Sequence, residues 1–125
     1  MKKKRLLIIP AKSKSKRIKN KNFKNFLGKP IIIYPYKIAK KSRLFDKIHI
    51  STEDSSVIKK LSGYNIKIDF LRDKKLASGE TPLLKVIKFV VNKYKELKFS
   101  FDEIWIILPC SPLLEVSDLL KLNNL

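Results

Sequence analysis

Six cations, Lys12, Lys14, Lys16, Arg17, Lys19 and Lys21, fall within ten residues, interleaved with Ser13, Ser15, Asn20 and Asn22. Ammonium and guanidinium groups alternating with hydroxyl and amide donors suit a phosphate or another polyanion, because charge-assisted hydrogen bonds are short and strong. The segment follows directly on the apolar run 6–9, which reads as a buried strand. A cationic loop at the carboxyl end of a strand is where open α/β sheets hold anionic ligands. A lysine run is also what a solvated face looks like, but the order, strand first and then cations with donors, favours a phosphate-binding loop. Two further polar turns follow strand-like segments: Ser51-Thr52-Glu53-Asp54 after the alternating 47–50, and Pro109-Cys110-Ser111-Pro112 after the apolar run 104–108.

Other chemistries find little support. Cys110 is the single cysteine and His49 the single histidine, so an intrachain disulfide, a Cys/His metal cluster and a Cys–His dyad are not expected. His49 lies inside an alternating strand pattern with no acid/base partner beside it, which makes it structural. The 125 residues fit one domain, 1–125, and a hydrophobic share of 44% argues for a folded chain despite a net charge of +18. That charge favours anionic partners. It is spread along the chain, without aromatic-interleaved RNA-binding or zinc-ligand spacing. The apolar run after Met1-Lys-Lys-Lys-Arg5 stops at Pro10, short for a secretory segment, and no later run approaches ~20 apolar residues. The expectation is a cytoplasmic protein with no membrane span.

The elements that must position these turns read as follows. Strands are expected over 5–9, 47–51, 66–71 and 101–108, the last holding the most apolar run and so the candidate central strand. Helices are expected over 30–42, with Ile31, Tyr34, Ile38 and Ala39 inward, over 56–61, over 82–97 capped by Thr81, and from 116 onward. Pro35 sits awkwardly in the first of these, at the cost of a hydrogen bond. Leu83, Val86, Ile87, Val90, Val91 and Tyr94 recur at helical spacing as a core stripe. Strands alternating with helices indicate parallel crossovers in a three-layer α/β/α, Rossmann-like fold with a mostly parallel sheet. The loops 11–22, 51–54 and 109–112 then converge on one sheet edge.

In chain order the segments IIPAKSKSKRIKNKN (8–22), GKPIIIYPY (28–36), KSRLFDKIHISTED (41–54), FLRDKKLA (70–77), TP (81–82) and LPCSPLL (108–114) stand at the spacing of a known pattern. That pattern runs IIPARGGSKRxxxKN, GKPLIxYxI, SGLFDxVxVSTD, LRPxxLA, TP and QPTSPLR. The chain therefore resembles the acylneuraminate cytidylyltransferases, the CMP-sialic acid or CMP-nonulosonate synthetase family, over its N-terminal half. The resemblance implies a nucleotidyltransferase fold, here apparently truncated, and Mg²⁺-dependent transfer of CMP from CTP to a nonulosonic acid with release of pyrophosphate. Carried over by position, Ala11, Lys12, Ser15, Lys16, Arg17, Lys21 and Asn22 would bind the phosphates and ribose, with Lys16, Arg17 and Lys21 as the catalytic cations. Pro109, Ser111 and Pro112 would lie beside the cytidine. Ser51 and Thr52 match the second loop, as ligand contacts or as a helix cap.

Departures from the pattern are informative. Arg-Gly-Gly is replaced by Lys12-Ser13-Lys14, which removes a guanidinium fork and two glycines that allow close backbone approach. Leu108 and Leu114 stand in place of a glutamine and an arginine, and Cys110 takes a threonine position as a packing substitution. The family's later part, which the resemblance says supplies metal-binding aspartates, sugar contacts and a dimerisation element, has no counterpart in these residues, so no metal ligand is assigned. The implied partners are CTP, a nonulosonic acid, and either a second copy in a homodimer or a missing C-terminal half. A non-catalytic basic module that binds nucleic acid is the alternative.

Overall fold

The computed structural model describes residues 3–12, 23–78 and 81–125. In chain order its elements are β1 (Arg5–Pro10), a hairpin of β2 (Asn25–Phe26) and β3 (Lys29–Pro30), α1 (Ile33–Ser42), β4 (Lys47–Ser51), α2 (Ser55–Ser62), a 3-10 turn (Lys74–Leu76), α3 (Leu83–Glu96), β5 (Glu103–Ile106) and α4 (Val116–Asn123). The main sheet is parallel and runs β4-β1-β5. Leu6, Leu7, Ile8 and Ile9 are all fully buried, as expected of a strand covered on both faces.

The twofold alternation of β1 divides the core. Leu7 and Ile9 join Ile33 and Ala39 of α1, Ile50 of β4, Val57 and Leu61 of α2 and Leu119 of α4. Leu6 and Ile8 meet Val90 and Tyr94 of α3 on the other face. Helices on both faces of a parallel sheet make the three-layer α/β/α architecture the sequence implies. Each fully buried Leu or Ile contributes roughly 1.5–3 kcal/mol, so β1 alone anchors much of the sheet.

The structure corrects several local expectations. The central strand is β1, and β5 is an edge strand among the described residues. Its apolarity is only partly buried, with Ile104 40% and Leu108 64% exposed. No strand forms over 66–71. Ile66 and Ile68 are buried while Lys67 is exposed, so the alternation there records burial without a ladder partner. The first helix begins later than expected, because Lys29–Pro30 pairs antiparallel with Asn25–Phe26. The hairpin turns through Leu27 (φ 50°) and Gly28 (φ 86°), the sign combination of a tight primed turn. This start puts Pro35 in the third helical position, where no intrahelical donor is needed, so the proline costs no hydrogen bond. It is buried with Ile33 and Ala39, whereas Ile31, Tyr34 and Ile38 are only half-buried. Thr81 does not cap α3: the N-cap is Pro82, without a side-chain bond, and Thr81 Oγ1 pairs with Ser78 Oγ at 3.1 Å.

Candidate functional site

The chain leaves β1 for β4 through α1 on one face and later reaches β5, on the other side of β1, through α3 on the opposite face. A reversal of this kind opens a crevice beyond the carboxyl ends of the two strands flanking the switch. A cavity of about 230 Å³ lies there. Pro10 and Lys12 line it from the end of β1, Leu108 and Pro109 from the end of β5, and Arg72 and Thr81 from the segment between β4 and α3. Leu83 and Val86 of α3 complete its apolar wall.

Arg72 is the one charged side chain among the described residues that is buried, at 5% exposure. Its Nε donates to Ser51 Oγ at 2.9 Å and its Nη2 to the Ser51 carbonyl at 3.1 Å, while its backbone amide donates to the Thr52 carbonyl at 2.7 Å. Burial pulls its pKa down, and the Glu53 carboxylate works in the opposite direction. A guanidinium held from behind at a cavity wall presents positive charge in a medium where charge is weakly screened.

Ser51 and Thr52 are fully buried and line neither this cavity nor its neighbour. The Ser51 carbonyl also accepts from the Ala11 amide at 2.8 Å, so the end of β4 fixes both Arg72 and the exit of β1. Thr52 Oγ1 accepts from the Asp54 amide at 3.3 Å. The cap of α2 is Asp54, whose Oδ1 accepts from the Ser56 amide at 2.9 Å and from Ser56 Oγ at 2.7 Å. A second, acid-lined cavity of about 640 Å³ opens beside Glu53, Asp54 and Ser55, with Lys74 across from them, and Ser78 borders both spaces.

Of the residues expected at the site, Lys12 and Pro109 line the cavity at the switch point. Ala11 is buried in the core and takes part through its backbone. Ser111 Oγ donates to the Leu108 carbonyl at 2.9 Å, shaping the turn after β5, and Pro112 is half-buried in the same turn. Ser15, Lys16, Arg17, Lys21 and Asn22 lie outside the described residues. Arg72, Ser78 and Thr81 were not picked out by sequence reasoning as site residues, although Arg72 and Thr81 stand in quoted motifs; among the cations, Arg72 carries the one available signal, an arginine followed by lysines just after Phe70-Leu71.

His49 is structural, as its strand position suggested, and it does have partners. Tyr94 Oη donates to Asp69 Oδ2 at 2.8 Å, and Asp69 faces Lys47 Nζ at 3.6 Å. With its single proton committed, Tyr94 can only accept from His49 Nδ1, 3.3 Å away, so the imidazole is the Nδ1–H tautomer. His49 stacks on Phe70 at 4.3 Å, and its Nε2 is buried without a hydrogen-bond partner. Burial pushes its pKa down to about 4, with Asp69 opposing and Arg72 adding to the shift. Burial, and then the bond to Asp69, raises the Tyr94 phenol. At the far end of the sheet, Glu103 is held down to about 2, first by its bond from Arg5 and then by those from Lys3 and Trp105. The Arg5 Nε to Glu103 Oε2 distance is 2.7 Å. These groups join β1 to β5 and stand away from the cavity.

Fold and cavity together define an open α/β domain with a crevice at the switch of strand order, the place where such sheets commonly hold ligands. The chain belongs to the cytidylyltransferase family, whose sequence pattern matches residues 6–123. It is 35% identical to the pseudaminic acid cytidylyltransferase of Campylobacter jejuni serotype O:2, over 94% of this chain and 50% of that protein. It is 27% identical to the CMP-N,N'-diacetyllegionaminic acid synthase of Legionella pneumophila, over 86% of this chain and 46% of that one. The structure of a CMP:2-keto-3-deoxy-manno-octonic acid synthetase complexed with CTP shares the fold at a TM-score of 0.79 and 20% identity, covering 97% of this chain and 46% of that one. The chain spans about half the length of the relatives it matches.

Proposed function

We propose that this chain carries the CTP-binding part of a cytidylyltransferase that activates a nonulosonic acid as its CMP conjugate. The anomeric hydroxyl of the sugar acid attacks the α-phosphorus of CTP in line with the leaving group. An O–Pα bond forms, the bond between Pα and the bridging β-oxygen breaks, pyrophosphate departs, and the hydroxyl proton passes to solvent or a base. Such chemistry is carried largely by positioning and charge neutralisation. The observation that supports the reading most is the cavity at the switch point, which brings Lys12, the first cation of the loop, together with Arg72 and the turn at Pro109.

On this reading Lys16, Arg17 and Lys21 neutralise the triphosphate as the sugar attacks, with Ser15 and Asn22 as hydrogen-bonding groups beside them. Among the described residues no three His, Cys, Asp or Glu side chains stand together as a metal-ligand set. Magnesium enters the proposal as the counter-ion of CTP, with no ligand from these residues. The sugar site, and the protein partner, are assigned to a second half equivalent to the part of the relatives that this chain does not cover. A cytoplasmic setting, where CTP is available, belongs to the same proposal; no helix among the described residues is long and apolar enough to cross a membrane.

The net charge of +18 favours one competing reading, a basic module that binds nucleic acid through its lysines. The test for catalysis is pyrophosphate release from CTP in the presence of pseudaminic, legionaminic or neuraminic acid, with the second half supplied. Release that requires both CTP and one of these acids is expected; none with any of the three would overturn the enzymatic reading.

A further inference from the structure

The alternating segment that follows α2 forms no ladder, and the space it leaves beside β4 is chemically specific. After α2 the chain turns at Asn65, with φ 62°, and buries Ile66 and Ile68 while Lys67 and Asp69 face the other way. Its backbone reaches the β4 side at Arg72, whose amide donates to the Thr52 carbonyl at 2.7 Å, and no strand forms over 66–71. Between this segment, the amino end of β4 and α1 lies a cavity of about 290 Å³. That is room for a single sugar ring, at the small end of ligand sites. The Asp46 amide donates to the Arg5 carbonyl at 2.9 Å, so the cavity is level with the start of β1. It stands roughly 15–20 Å, the length of that strand, from the crevice at the other end of the sheet.

Lys40 of α1, Lys47 of β4 and Lys67 bring three ammonium groups to this cavity, against the two carboxylates of Asp46 and Asp69. Lys47 is matched to Asp69 at 3.6 Å, whereas Lys40 and Lys67 make no ion pair among the described residues. The surplus is one positive charge. Each carboxylate has one oxygen engaged, Asp46 Oδ2 by the Arg5 amide and Asp69 Oδ2 by Tyr94 Oη, both at 2.8 Å. The other oxygen of each carries no hydrogen bond among the described residues and can accept one. Asn65 adds an amide, and Tyr36 adds a hydroxyl that keeps its proton, because burial and then the Asp69 carboxylate raise the phenol. Phe45 and Ile48 supply an apolar wall. A compact dianion such as phosphate would be repelled by the two carboxylates, and a neutral sugar or a zwitterionic amino acid would leave the surplus cation unmatched. One carboxylate on a ring of hydroxyls answers both demands.

We infer that this cavity is a second ligand site, for a small sugar acid. Its carboxylate is held by Lys40 and Lys67, its hydroxyls donate to Asp46 and Asp69, and its C–H face rests on Phe45 and Ile48. The site lies at the β4 edge, and it stands whether or not the crevice takes CTP.

The test is a titration of the chain with D-glucuronate, followed through backbone amide shifts by NMR, with glucose and inorganic phosphate as comparisons. Saturable shifts are expected at Tyr36, Lys47, Asn65 and Lys67. Glucose should bind at least about tenfold more weakly, and phosphate should not displace glucuronate from these amides. Lys40 and Lys67 are exposed, so Lys40→Ala and Lys67→Ala leave the core intact, which unchanged amide shifts at Leu6 and Ile8 verify. Each should weaken glucuronate at least about tenfold through the loss of one charge-assisted bond. Lys88→Ala, at an exposed position of α3 on the opposite face, should leave its affinity unchanged. Phosphate that gives the same shifts at equal or higher affinity overturns the sugar-acid site in favour of a simple anion site. Equal weakening by Lys88→Ala also overturns it, because the attraction is then the diffuse charge of the chain. So does the absence of shifts at these amides in about 20 mM glucuronate, where a millimolar site would be nearly full.

Discussion

Replacing Arg72 with methionine separates the demands of folding from those of ligand binding. The guanidinium makes two charge-assisted bonds to Ser51, at 2.9 and 3.1 Å. At roughly 1.5–3 kcal/mol each they contribute about 3–6 kcal/mol. Against that stands the cost of holding a cation out of water, several kcal/mol after relaxation. The Ser51 carbonyl keeps its bond from Ala11, and a flexible thioether of similar length fills most of the vacated space. The two terms nearly cancel, so Arg72→Met should change the unfolding free energy by no more than about 2 kcal/mol. Binding has no such compensation: a nucleotide in the cavity loses one charged partner, about 1.5–3 kcal/mol, or a tenfold to hundredfold weaker Kd for CTP. Arg72→Lys keeps the charge but not the fork and should fall between. Urea unfolding and calorimetric titration with CTP on the same protein measure both quantities. A loss of more than about 4 kcal/mol in stability with CTP affinity unchanged would refute the reasoning and make Arg72 a purely structural clamp.

Acid should destabilise the fold through His49. Its folded pKa, about 4, lies below the ordinary value near 6.5, so its contribution is complete above pH 6.5, declines as pH falls from 6.5 towards 4, and changes no further below that. The total is about 3 kcal/mol, and the slope between pH 6.5 and 5, above the range where carboxylates such as Glu103 begin to titrate in the unfolded chain, should disappear from urea unfolding in His49→Phe. Tyr94→Phe strands the buried Nδ1–H of His49 and removes a donor from Asp69, and should cost about 1–3 kcal/mol in the same assay. Leu27→Asn should stabilise by about 0.5–1 kcal/mol, because Leu27 is 83% exposed and held at φ 50°; an unchanged or lower melting temperature would contradict the turn geometry.

What was legible in the sequence was whatever local pattern and tertiary context agree upon. Leu6 to Ile9 are apolar on both faces because β1 is central, and the pattern 47–51 alternates because β4 meets apolar layers and a polar relay on opposite sides. The stripe ending at Tyr94 gave α3 for the same reason. Where local signals had more than one solution, the fold chose. Alternation at Ile66 and Ile68 is satisfied by packing without a strand partner, and Thr81 bonds Ser78 instead of capping α3. The apolarity of 104–108 suggested a central strand, yet Ile104 and Leu108 stay exposed among the described residues. Lys12 and Pro109 were found at the cavity because they adjoin strand ends. Arg72 reaches the same place from a loop whose path depends on contacts with Ser51 and Thr52, twenty residues away in sequence, which no local pattern records.

The central claim is that the crevice at the ends of β1 and β5 is built for CTP and not for polyanions in general. Titrating the chain with CTP, UTP, ATP and a single-stranded oligonucleotide at low and high salt tests it most directly. The account predicts saturable one-to-one binding of CTP, at least about tenfold tighter than UTP or ATP, and less sensitive to salt than oligonucleotide binding, which scales with the number of phosphates neutralised. Equal affinity for the three nucleotides, with binding of every ligand collapsing together as salt rises, would contradict it.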